Sequence, residues 1–125
     1  MKLLDSTVAI DFLRGRDVAV ARVEATANDG EWLSASEIVR FEIVAGGRDE
    51  ELDSIERFFG GLEWVPVDET IARLGGLLAR RFRRSHAGIA ASDYLIAATA
   101  LVLDAELLTT NVRHFPMIEG LRPAY

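Results

Sequence analysis

The chain has 125 residues, 50% of them hydrophobic and 27% charged, which is enough apolar material to bury one core and too much to leave the chain disordered. It has no cysteine, which excludes disulfides, thiolate nucleophiles and sulfur-based zinc sites, so any metal must be held by oxygen or imidazole. The net charge is −6, from 20 acids against 14 Lys and Arg, so no overall field draws in a polyanion.

In chain order, Lys2 to Leu4 predicts a strand. Asp5 and Asp11 then interrupt the apolar run, so no signal-peptide core forms, and no later apolar stretch is long and uncharged enough to span a bilayer. A cytoplasmic protein without membrane contact is the expectation. A first helix starts at Ser6 or Thr7, carries Val8, Ile10, Phe12 and Leu13, and stops at Gly15. Asp11, Asp17 and Glu24 lie in polar surroundings and read as solvated. Trp32-Leu33 predicts the second strand. Ser34-Ala35-Ser36-Glu37 fits a capping box for a second helix, which Gly46-Gly47 ends.

A third helix carries Leu52, Ile55, Phe58 and Phe59 and ends at Gly60-Gly61; Trp64 to Val67 predicts a strand. The fourth helix follows Asp68 with Ile71, Leu74, Leu77, Leu78 and Phe82. Gly75-Gly76 inside it calls for a kink or close helix packing, because each glycine costs about 1 kcal/mol relative to alanine there. A fifth helix runs from about Ser92 to Leu103, and Leu107-Leu108 predicts the last strand. Trp32 and Trp64 sit in apolar strand patterns and read as core or interface residues rather than base-stacking platforms. Strands alternating with helices, with no repeat or linker, predict one α/β domain over residues 1–125 with a mostly parallel sheet flanked by helices.

Three acids break the hydrophobic pattern. Glu42 falls on the stripe Ile38, Phe41, Glu42, Ala45, and Asp93 on the stripe Ile89, Asp93, Ile96, Ala97, Ala100. Asp5 follows the first strand, at the sheet edge where parallel α/β folds place their ligand crevice. If the three converge, charges about 4 Å apart repel by about 4 kcal/mol at an effective dielectric of about 20. A hard cation, magnesium or manganese, suits oxygen ligands that must offset this, and metal-assisted phosphoryl chemistry follows.

The opening Leu3-Leu4-Asp5-Ser6-Thr7, the stretch from Leu33-Ser34 through Glu42 to Gly46, the run Asp93 to Ala100, and Leu108-Thr109-Thr110-Asn111 through Phe115 to Gly120-Leu121 resemble the PIN-domain family, specifically the VapC-type toxins of toxin–antitoxin pairs. Their order and intervals, spanning nearly the whole chain, carry the resemblance. It implies a doubly wound sheet, a magnesium-dependent (or manganese-dependent) endoribonuclease that hydrolyses RNA with a metal-activated water, a homodimer, and a cognate antitoxin that blocks the site. Carried over by position, Asp5, Glu42 and Asp93 are catalytic, metal-binding acids, and Ser6 and Thr109 are supporting hydroxyls. Asn111 occupies the family's fourth acidic position. It lowers the ligand charge by one while keeping an amide oxygen that can coordinate or orient water.

Lys2 is the only lysine, so the other cations are arginines, which grip phosphate bidentately. Arg80, Arg81, Arg83 and Arg84 form the densest basic cluster; they suit RNA phosphates, and equally suit a solvated helix C-terminus. His86 and His114 have no spaced partner and are assigned no catalytic role. A receiver-like phosphoacceptor domain is disfavoured, because the paired acids after the first strand and a late lysine are missing. An inactive PIN-like binding module is the other alternative, resting on Asn111 alone.

Overall fold

The computed structural model describes residues 1–125. Four short strands, β1 (Lys2–Leu4), β2 (Leu33–Ser36), β3 (Glu63–Val65) and β4 (Glu106–Leu108), form one sheet in the order β3-β2-β1-β4. Every pairing is parallel, with Leu3 opposite Ser34 on one side and Leu107 on the other. The sheet is therefore wholly parallel, and strand order reverses between β1 and β4. Such a switch point opens a crevice beyond the carboxyl ends of the two strands. Pro66 and Val67, expected in the third strand, lie outside it; proline has no N–H to give a ladder.

Six α-helices surround the sheet: α1 (Ser6–Leu13), α2 (Asp17–Asn28), α3 (Glu37–Gly46), α4 (Leu52–Phe59), α5 (Glu69–Phe82) and α6 (Ala91–Leu103). Five match the expected helices. The sixth, α2, lies where the sequence suggests only solvated residues, because its alanines and polar residues give little amphipathic contrast; it buries Ala19, Val23 and Thr26. Asp17 and Glu24 are exposed on it, as expected. No helix is long and apolar enough to cross a membrane.

The core is centred on Leu3, Leu4, Ala35, Leu107 and Leu108 of the sheet. Val8, Val39, Ile43, Ile55, Phe59, Ile96 and Phe115 close over them. Each fully buried Leu or Ile contributes about 1.5–3 kcal/mol relative to exposure. α5 and α6 pack on one another, and Gly75 is where they approach most closely. A Cβ there would stand 3.1 Å from Leu95 Cδ2 and 3.5 Å from the Tyr94 carbonyl oxygen. Close packing, rather than a kink, accounts for that glycine, while Gly76 faces open space.

Two side-chain expectations fail on α3. Its core face is Val39 and Ile43, whereas Phe41 is 68% exposed and Ala45 is exposed; the stripe is rotated by about one residue from the expected one. The cap is Ser36, whose Oγ accepts the Ile38 N–H at 3.2 Å. Ser34 instead belongs to β2 and its Oγ is buried without a partner, so the expected capping box does not form. Trp32 is 70% exposed and is no core residue. Trp64 is, by contrast, packed edge-on against Phe59 and covered by the Arg40 guanidinium 3.9 Å from its ring.

Candidate active site

Asp5 is the residue that ends β1 and caps α1. Only 3% exposed, it is held at every oxygen: Oδ1 accepts the Ser6 N–H at 2.9 Å, and Oδ2 accepts the hydroxyls of Thr109 at 2.7 Å and Thr7 at 3.1 Å. Thr109 follows β4, so this cluster ties together the two strand ends that bound the switch point. The Asp5 N–H itself donates to the Leu108 carbonyl at 2.9 Å. Burial pushes the Asp5 carboxyl above its ordinary range. The two threonine hydroxyls and the Ser6 N–H pull it back, and the nearby Asp93 charge adds to the rise.

Glu42 reaches the same place from α3. Its Oε1 is buried with no hydrogen-bond partner, and no arginine neutralises it: Arg40, on the same helix, pairs with Glu37, and Arg73 pairs with Glu69. Burial raises its pKa first, followed by the charges of Asp5 and Asp93, while the hydroxyls of Ser92 and Ser6 work in the opposite direction. Asp93 lies in the first turn of α6. That helix leads into β4, so its N-terminus stands at the sheet's carboxyl edge. Asp93 Oδ2 accepts the Ala90 N–H at 3.0 Å and meets His114 Nδ1 at 3.1 Å.

The three expected acids therefore come from three elements to one edge and act on one another electrostatically. No three acidic or imidazole side chains close into a tight cage as they stand. A buried carboxylate oxygen without a donor and mutual repulsion among acids nevertheless fit a hard cation that keeps some of its waters and needs few direct protein ligands.

Of the supporting residues, Thr109 bonds Asp5 directly, and Ser6 contributes its N–H to Asp5 and its hydroxyl towards Glu42. Asn111 is half-buried; its N–H donates to Thr109 Oγ1 at 3.0 Å. Three further residues join the site beyond those expected. Thr7 is legible in the sequence as the first-turn hydroxyl two positions after a capping aspartate, and Ser92 as the residue before Asp93. His114 is not partnerless, as its sequence spacing suggests: its partner is 21 residues away, on another element. Asp11, expected to be solvated, instead accepts the Tyr125 hydroxyl at 2.5 Å and Arg16 at 2.9 Å. Arg80, Arg81, Arg83 and Arg84 are exposed at the end of α5, in the segment leading to Asp93.

Comparison with known proteins agrees with this fold. The PIN domain model matches residues 2–120. Ribonuclease VapC19 of Mycobacterium tuberculosis is 57% identical over the whole of both chains. Ribonuclease VapC10 of the same organism is 42% identical, covering 100% of this chain and 93% of that one. Among solved structures, a toxin–antitoxin complex from Klebsiella pneumoniae superposes with a TM-score of 0.80 at 24% identity, over 100% of this chain and 98% of that one. DNA-bound VapBC from Salmonella typhimurium gives 0.82 at 22% identity, over 98% and 95%.

Proposed function

Because this chain belongs to the PIN-domain family, we propose that residues 1–125 form one metal-dependent endoribonuclease domain, the toxin of a toxin–antitoxin pair acting in the cytoplasm. The observation that carries the reading is the unpartnered Glu42 Oε1 beside buried Asp5 and Asp93 at the switch point. Asp5, Glu42 and Asp93 hold the ion in this reading, with Asn111 beside them. A bound magnesium or manganese ion would supply the positive charge that offsets their repulsion and the Lewis acidity that stabilises charge on the reacting phosphodiester.

The chain's own residues have separable tasks. Ser6, Thr7 and Thr109 hold the Asp5 carboxylate in one orientation, so its charge needs no reorganisation when an ion or substrate arrives. The Glu42 carboxylate is able to take the proton lost by the attacking water as the new P–O bond forms, while the leaving oxygen takes a proton from solvent as the old bond breaks. The exposed arginines from Arg80 to Arg84 receive RNA phosphates, compensating locally for the acidic chain as a whole. An antitoxin partner is supported by the similar folds solved as toxin–antitoxin complexes, and a homodimer belongs to the same reading. Apolar side chains left exposed on the helices, among them Phe41, Val44 and Leu77, offer surface for such contacts.

The test is cleavage of a panel of structured RNAs by purified protein with magnesium, with manganese, with chelator, and by Asp5→Asn checked for folding. Cleavage that requires metal and disappears in folded Asp5→Asn establishes the reading. No cleavage, together with no metal-induced rise in melting temperature, would make the chain an inactive PIN-like binding module.

A further inference from the structure

Asp93 is restrained through one oxygen only. Its Oδ2 takes both the Ala90 N–H and His114 Nδ1, at 3.0 and 3.1 Å, and its Oδ1 takes no hydrogen bond from the protein. A carboxylate oxygen accepts and does not donate, so His114 meets it with the proton on Nδ1. The Ala90 N–H belongs to Asp93's own helix end and would hold the carboxylate from one side. His114 approaches from a different segment, the 3-10 turn Val112–His114, seated by the fully buried Phe115.

That turn is not independent of the rest of the site. Thr109 Oγ1 donates to Asp5 and accepts the Asn111 N–H, the Asn111 carbonyl accepts the His114 N–H at 3.0 Å, and the His114 ring reaches Asp93. One short stretch, Thr109 to His114, therefore touches two of the acids and sets the distance between them. We propose that His114 is a positioning residue: together with the Ala90 N–H it pins Asp93 Oδ2, leaving Oδ1 as the single oxygen that Asp93 presents beside Asp5 and Glu42. The proposal rests on reading the three acids as an ion-binding site, and it assigns His114 no contact with ion or RNA.

The experiment is titration of the full-length protein with Mn²⁺, followed by electron paramagnetic resonance of the free ion. Wild type is compared with His114→Ala, His114→Asn and His114→Gln, with a thermal melt of each. Removing a hydrogen-bond partner of a ligating carboxylate costs about 10–100-fold in metal affinity, and that loss is expected for His114→Ala. Asparagine carries its N–H where histidine carries Nδ1, and should restore most of the affinity; glutamine, whose N–H lies further out, should restore little. Nitrogen NMR of the metal-free wild type should show the His114 ring protonated on Nδ1.

Unchanged Mn²⁺ affinity in folded His114→Ala, asparagine no better than glutamine, or a ring protonated only on Nε2 would each overturn the proposal. The asparagine–glutamine contrast carries the test alone if His114→Ala does not fold. Wild type that neither binds Mn²⁺ nor cleaves RNA removes the site reading and this inference together. Wild type that does both, matched by His114→Ala, removes only the role of His114.

Discussion

Thr109 Oγ1 lies 2.7 Å from Asp5 Oδ2, and through that bond the residue after β4 fixes the carboxylate after β1. The same hydroxyl accepts the Asn111 N–H at 3.0 Å and lies 3.4 Å from Thr7 Oγ1, so it serves three partners. Thr109→Val keeps the shape and removes all three contacts. It should cost about 1–3 kcal/mol of stability, as a buried polar group left unsatisfied does, and lower RNA cleavage at least about tenfold, since each 1.4 kcal/mol removed from a site's organisation is about a factor of ten. Thr109→Ser should recover both in urea melts and single-turnover assays.

Glu42→Gln should have opposite effects with and without metal. The Glu42 pKa is raised by burial and by Asp5 and Asp93, so at neutral pH the charged form destabilises the metal-free fold. For a group raised in the folded state, the penalty is complete above the folded value and relieved as pH falls below the ordinary carboxylate value of about 4.3. In chelator at pH 7, Glu42→Gln should melt about 2–5 °C above wild type, and the gap should narrow towards pH 4. With magnesium present the wild type should gain more than the variant. A variant less stable than wild type in chelator would count against a repulsive acid cluster.

The C-terminal contact has its own pH signature. Asp11 is pulled below its ordinary range, chiefly by the Tyr125 hydroxyl and then by Arg16. Tyr125 is pushed well above its ordinary value by burial and by Asp11. Asp11's contribution is present above the ordinary carboxylate pKa and disappears as pH falls through its lowered value. The contribution of Tyr125 is complete below about pH 10 and is lost as pH rises through its raised value. The melting-temperature advantage of wild type over Tyr125→Phe should therefore form a plateau between about pH 5 and pH 9 and shrink on both sides. An advantage independent of pH would assign the contact to ring packing alone.

Gly75 and Gly76 are adjacent in α5 and should respond differently to alanine. Gly76→Ala meets open space and should stabilise by up to about 1 kcal/mol through helix propensity. Gly75→Ala places a methyl 3.1 Å from Leu95 Cδ2, so displacing Leu95 offsets part or all of that gain. Thermal melts of the two single variants decide it; equal gains would show that α5 and α6 are less tightly opposed at this point.

Replacing Arg83 and Arg84 with alanine should weaken binding to unrelated RNAs about equally. The salt slope should fall by about 0.7 for each single-strand phosphate that is no longer neutralised. Fluorescence anisotropy across a sodium chloride series measures both. Unchanged affinity at every salt concentration would leave these residues as cations complementing the C-terminal dipole of α5.

Much of this architecture can be read directly from the chain, because local rules govern it. Apolar runs locate all four strands, amphipathic stretches locate five helices, glycines mark the ends of three of them, and acids on apolar stripes single out Glu42 and Asp93. α2 escapes because its burial rests on small residues, Ala19 and Val23 among them, that give a weak periodic signal. The exact face of α3 escapes as well: Phe41 and Ile43 are both strongly hydrophobic, and only packing determines that Ile43 is buried while Phe41 is not.

The sequence by itself determined the strands, five of the six helices and which carboxylates sit where apolar residues belong, since propensity, capping and periodicity act between neighbours along the chain. Only the tertiary structure decided who partners whom. Asp5 with Thr109, Asp93 with His114 and Asp11 with Tyr125 are separated by 104, 21 and 114 residues. They meet because parallel pairing of β1 with β4 and the return of the chain after β4 bring those segments together. A hydrogen bond requires its donor within about 3 Å of its acceptor, and spacing along the sequence carries no information about that distance.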